Sequence, residues 1–286
     1  MKIKSIIKYI FINIVFCQIG LQTEFGECKV IIDSIDFHHQ AYIEKSIISL
    51  SDSLIQRYGT IGKKIFTIKF DNQSTRRLPK WSHGITKKNP DTIIMFAPHR
   101  NNINKTRFEQ VLKHELMHLY LNRKNTNSIF IPRWFREGLS MHESDEFSIN
   151  RKIILSQGYW SGKLNSLLDL ESFKNLTPEQ IKLAYSQSIA AFVAFQYLFE
   201  LNIDSQILNQ IQNVNNFEDF FYNITNTTTD EFEILYLEFI EKYYKWFILL
   251  KVTNFFMILF PILLIMGYLI KSNYAKKKYL RWEVEE

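Results

Sequence analysis

Only two cysteines, Cys17 and Cys28, occur among 286 residues. Their scarcity excludes a disulfide framework and a thiolate zinc site, while leaving the compartment open. Cys17 sits inside an apolar N-terminal stretch, where it reads as a small hydrophobe. Neither cysteine follows the small residues of a lipoprotein site. There is no Gly-rich phosphate loop, no internal repeat and no low-complexity segment, so nothing points to a nucleotide-binding or repeat architecture. Net charge is also scarce where it would matter most. The surplus of +6 is carried by Lys2, Lys4, Lys8, Lys251 and the tail from residue 271 to 286, which has five basic and three acidic residues. The region between is close to neutral, so the basic character belongs to membrane flanks and no nucleic-acid partner is expected.

Long apolar runs are confined to the two ends. Residues 9–19 are apolar after three lysines, too short for a bilayer span but suited to the core of an export signal. Residues 1–22 are therefore read as a signal peptide or N-terminal anchor, the alternative being a buried helix. Residues 252–270 carry no charge, and Trp246 and Tyr268 sit near the ends of this run as interfacial aromatics do. A transmembrane helix is expected over 247–270. The basic tail, 271–286, then lies in the cytoplasm and the intervening domain, 28–245, on the extracytoplasmic side of the cell membrane.

Within that domain, alternation predicts strands over 29–35, 65–70 and 92–98. A core helix is predicted over 40–58, ended by Gly59. The polar stretch 71–90 reads as a loop with a hairpin around Gly84. Beyond residue 104 the pattern is helical, with Thr177-Pro178-Glu179-Gln180 a helix start and further helices near 205–212, 217–221 and 229–246. The fold class is α+β: a small N-terminal mixed sheet and a largely helical C-terminal half.

The chemistry is concentrated in His114-Glu115-Leu116-Met117-His118. On a helix over 106–121, with Thr106 to Glu109 as its capping box, the two histidines fall one turn apart on one face, where both imidazoles can bind one metal ion. Zn2+ suits neutral imidazole, and a catalytic site needs three protein ligands and an open position. Glu115 leans toward the same ion and can accept a proton from the water that attacks a carbonyl. The pattern occurs by accident in roughly one chain per hundred of this length, so its flanks matter. Pro132-Arg133-Trp134-Phe135-Arg136-Glu137-Gly138-Leu139 follows, with Pro132 suited to a first helical turn and Glu137, nineteen positions beyond His118, able to supply a third ligand.

HELMH followed by WFREGLS resembles the gluzincin zinc metallopeptidases, and within them the membrane-associated peptidase MA-like group. The likeness covers roughly residues 64–243 and is specific at the two motifs. It implies zinc ligands His114, His118 and Glu137, a general base at Glu115, and hydrolysis of peptide bonds in a peptide or protein substrate. It also implies that the strand ahead of the zinc helix, residues 94–98, forms a rim against which extended substrate pairs. Ala184-Tyr185-Ser186-Gln187-Ser188 resembles an A-Y-x-x-S element of the same group. Tyr185 then either donates a hydrogen bond to the oxyanion or packs with its hydroxyl at the surface. The alternative from another class is a catalytically inactive gluzincin-like binding domain tethered to the membrane. His38, His39 and His83 read as surface histidines, and His142 as exposed or behind the ligands. Glu143 and Asp145 are both able to orient a ligating imidazole, and spacing does not choose between them.

Overall fold

The computed structural model describes residues 16–33, 38–71, 83–88, 91–96, 104–171 and 176–285. Five strands form one mixed sheet in the order β1-β2-β3-β5-β4. They are β1 (Phe16–Thr23), β2 (Gly26–Asp33), β3 (Phe66–Asp71), β4 (Gly84–Lys87) and β5 (Thr92–Phe96). β2, β3 and β5 run parallel in the middle, with β1 and β4 antiparallel at the edges. The α+β class expected from the sequence is the observed one.

Two features of the sheet depart from the expected pattern. β1 pairs with β2 along its whole length, from Phe16 with Asp33 to Thr23 with Gly26, so the sheet begins before residue 28, inside the stretch read as a signal or anchor. A strand with a hairpin partner and a signal core share the same apolar composition, and only the partner separates them. Residues 1–15 lie outside the described residues. The second departure concerns the rim. β5 is interior, bonded to β3 on one side and β4 on the other. Among the described residues the edge strand beside the motif helix is β4, within the stretch read as a loop, and residues 97 and 98 lie outside the described residues.

Helix α1 (Gln40–Tyr58) connects β2 to β3, and α2 (Lys105–Lys124) follows β5. α2 starts earlier than the expected capping box. The Asn104 side chain accepts from the Arg107 N–H at 2.7 Å, a cap that contributes about 1 kcal/mol. Glu109, freed from capping, accepts instead from Tyr42 and Ser46 of α1. The far end of α2 is fastened to the sheet by the buried Arg123, which donates to Asp91 at 2.8 Å and to the Phe25 carbonyl at 2.6 Å. Both ends of the motif helix are thus tied before any site residue is considered.

The helical half comprises α3 (Arg133–Glu143), α4 (Ile149–Trp160), α5 (Pro178–Leu198), α6 (Ser205–Gln210), α7 (Phe217–Thr225), α8 (Thr229–Tyr243) and α9 (Val252–Glu285). Thr177 and Gln180 form the capping box the sequence predicts for α5. Trp134 and Phe135 of α3 pack edge-on against Phe195 and Phe217 in a fully apolar cluster, each buried ring contributing roughly 2–3 kcal/mol. Gly138 allows α3 and α5 to touch: a Cβ there would lie 2.5 Å from both the Ser188 carbonyl oxygen and the Phe192 Cβ.

A 3₁₀ turn, Lys245–Leu250, precedes α9. Ser156 and Trp160 of α4 donate to the Lys245 carbonyl at 2.6 and 2.7 Å, locking the turn to the domain. Phe256–Lys276 of α9 is long and apolar enough to cross a membrane, and none of its most apolar window is buried.

Candidate metal centre

α2 carries Arg107, Val111, His114 and His118 along one face, as spacings of four, three and four residues require. The Nε2 atoms of His114 and His118 lie 3.1 Å apart. Glu137, at the second turn of α3, brings Oε2 to 3.4 Å from each of them. Ligand atoms from all three fall within 4.8 Å of one another. Glu137 Oε2 is buried and accepts no hydrogen bond of good geometry, an arrangement that costs stability unless a cation fills the space. The residues present therefore fit a metal ion.

Charge around the cluster agrees. Burial pushes the Glu137 carboxyl up, but the His118 and His114 imidazoles beside it outweigh burial and hold it well below the usual carboxylate range. Burial pulls the His114 imidazolium down, and the Glu137 and Glu146 carboxylates reverse that, raising it to about 10. The buried Glu137 and Glu146 carboxylates need positive charge beside them; without metal, the proton held by His114 supplies it.

Each imidazole has a partner behind it. His114 Nδ1 faces Glu146 Oε1 at 3.1 Å as an ion pair without good hydrogen-bond geometry, and His118 Nδ1 is within hydrogen-bond distance of Ser140 Oγ at 3.2 Å. Such contacts fix which nitrogen is turned toward the metal. Ser140 lies three residues after Glu137, so one face of α3 delivers both a ligand and the support for another. Glu146 is turned inward just past the end of α3, where Asp145 adopts φ +54° and the Glu146 N–H bonds back to Met141. Its carboxylate also takes Ser144 Oγ at 2.9 Å and Arg151 at 3.1 Å. Burial raises the Glu146 carboxyl, yet His114, Arg107 and Arg151 together lower it below the usual range.

Glu115 is 5 % exposed and lies outside the His-His-Glu cluster. Thr86 of β4 donates to its Oε2 at 2.7 Å and to its main-chain carbonyl at 3.0 Å. Burial pushes the Glu115 carboxyl up, with the two imidazoles and the Thr86 hydroxyl offsetting part of the rise. A carboxylate with raised proton affinity is suited to accept a proton and give it up again.

Tyr185 of α5 lines the same cleft, about 510 Å³ in volume, as His114, Glu115 and Gly84. Burial and the nearby Glu137 charge raise its hydroxyl above the usual range, while a hydrogen bond from Arg133 works the other way. It stays a neutral donor at physiological pH. The close α3–α5 contact at Gly138 is what brings this helix over the cluster.

The remaining expectations divide. His142 packs against Phe192, with ring centroids 5.4 Å apart, and lies outside the cluster. His83 is exposed on the cleft rim. Glu143 supports no imidazole: it takes Tyr58 at 2.6 Å, Arg57 at 2.8 Å and Lys113 at 3.4 Å. Sequence reasoning missed Glu146, Ser140, Thr86 and Gly84. Helical spacing from Glu137 marks Ser140; no local signal separates Glu146 from its acidic neighbours, because its direction is set by the turn at Asp145. The chain matches no protein family, and no curated protein sequence matches it.

Proposed function

We propose that this chain is a membrane-anchored zinc-dependent peptidase. The observation that carries the reading is Glu137 Oε2, a buried anionic oxygen that accepts no hydrogen bond of good geometry and lies 3.4 Å from each of two imidazole nitrogens, with the Glu115 carboxylate outside the cluster beside it. Two imidazole nitrogens and one carboxylate oxygen are the ligand set of catalytic zinc, with a fourth position left open. His114, His118 and Glu137 hold the ion. Bound there, it supplies Lewis acidity that polarises the scissile carbonyl and makes water a stronger nucleophile.

The chain's own groups do the rest. Glu115 accepts the proton of the attacking water on a carboxylate oriented by Thr86, then passes it to the leaving amine. Tyr185 donates its O–H to the substrate oxygen that gains charge. β4, as the edge strand bordering the cleft, offers main-chain groups for an extended polypeptide to pair with. The resemblance to gluzincins supports each of these roles. Helix α9 anchors the domain, and the basic residues after it favour an extracytoplasmic active site.

The test is metal analysis and peptide digestion with the full chain in detergent. The parental protein is expected to hold one zinc per chain and to cut peptides. Glu115→Gln should keep the zinc and lose turnover, and His114→Ala should lose both. Parental-rate cleavage by Glu115→Gln, or a protein that takes up no zinc, ends this reading.

A further inference from the structure

We infer that the end of the cleft remote from Glu137 binds a carboxylate of the substrate, carried by an acidic side chain or by the chain's C-terminus. Naming the ligand a substrate polypeptide rests on the peptidase reading; the anion site does not. Arg107 of α2, Arg151 of α4 and Lys182 of α5 line that end. Glu146 is the acidic residue lining it with them, and its Oε2 is shared between Arg151 at 3.1 Å and Arg107 at 3.3 Å, while Oε1 faces His114. Lys182 is exposed and, among the described residues, pairs with no carboxylate. One carboxylate against three cations leaves the wall electropositive even when Glu115 and Glu137 are balanced by a divalent ion. Arg107, Arg151 and Pro178, which line the cleft, belong to the first turns of α2, α4 and α5, whose positive dipole ends add to its potential. In a cleft with low-dielectric walls such a surplus selects anionic partners.

Position along the helices indicates where the carboxylate sits. Arg107 precedes His114 by seven residues, about 10 Å of helix. Lys182 precedes Tyr185 by three, about 5 Å. An extended chain advances about 3.3 Å per residue, so the carboxylate lies about one to three residues from the scissile bond.

The experiment measures binding and cleavage separately on the full, zinc-loaded chain in nanodiscs of neutral lipid. Dye-labelled peptide pools of one length are compared: Glu scanned through an amidated peptide, the Gln-containing peptide with a free C-terminus, and the same peptide amidated and uncharged. Binding is read by anisotropy on Glu115→Gln, and cleavage on the parental chain. One carboxylate-bearing pool should bind about tenfold tighter than the uncharged one and lose that advantage as salt rises. Preference for internal Glu assigns the site to an acidic side chain, and preference for the free end to the terminal carboxylate. Lys182→Glu should abolish the preference and Lys182→Arg should keep it. Equal affinities for all pools overturn the inference whether or not peptides are cut. A carboxylate preference without any cleavage leaves the anion site standing and overturns the peptidase reading instead.

Discussion

Gly84 lies against Glu115: a Cβ built on the glycine would meet Oε1 at 2.7 Å and Cγ at 2.8 Å. Thr86, two residues along β4 and so on the same face, holds Oε2 at 2.7 Å. A single edge strand therefore sets the position of the carboxylate from both sides, one by contact and one by hydrogen bond.

Gly84→Ala should expose that dependence. The added methyl has to displace either Glu115 or the strand, and a shift of this kind in a reacting group costs about 10²-fold in rate. Steady-state kinetics on the purified chain should give kcat reduced by roughly 10- to 100-fold, with zinc content unchanged. An unaltered kcat would mean that Glu115 is not held by β4.

Glu146 and Glu143, near neighbours in sequence, should separate cleanly. Glu146→Gln removes the anionic partner of His114 and is expected to weaken zinc binding by roughly 10- to 100-fold in competition with a chromophoric chelator. Glu143→Gln disturbs the Tyr58, Arg57 and Lys113 contacts instead. It should cost roughly 1–3 kcal/mol of stability by denaturant unfolding and leave zinc affinity alone. The reverse pattern would contradict the assignment of Glu146.

Zinc binding should strengthen with pH. His114 of the metal-free protein stays protonated up to about 10 because the Glu137 and Glu146 carboxylates outweigh the effect of burial, so the ion has to displace its proton. Titration calorimetry near neutral pH, in buffers of different ionisation enthalpy, should report about one proton released from this residue per zinc bound. The stability of the metal-free fold runs the other way. A histidine raised by folding contributes fully below its unfolded value of about 6.5, and that contribution is lost as pH climbs through the folded value. Melting of chelator-treated protein should therefore occur at lower temperature at pH 9 than at pH 6, and no difference would contradict the charge arrangement around His114.

Gly138→Ala and Tyr185→Phe probe α5 in two ways. The alanine methyl would strike Ser188 and Phe192, an overpacking that costs roughly 1–3 kcal/mol, and it should lower both the melting temperature and kcat. Tyr185→Phe leaves the packing but gives up the hydrogen bond with Arg133, and should lower kcat by about 10²-fold if the hydroxyl stabilises the oxyanion, with only a small loss of melting temperature. A wild-type kcat in Tyr185→Phe would assign the residue to packing.

Sequence alone determined what local chemistry can specify. The four-residue spacing of His114 and His118 follows from helical geometry, as does the capping box of Thr177 with Gln180. The Trp-Phe-Arg-Glu-Gly run carried both the candidate ligand Glu137 and the glycine that admits α5. The charge-free run within α9 was legible from composition alone. Tertiary structure decided everything that depends on a partner distant in the chain. β1 became a strand because Gly26–Asp33 lies beside it, and β4, not β5, became the edge because Gly84–Lys87 caps the sheet. Glu146, rather than Glu143 or Asp145, came to face His114 because the chain turns at Asp145. Periodicity fixes which residues share a face of one element; which faces meet is set by packing between elements, and no local pattern encodes it.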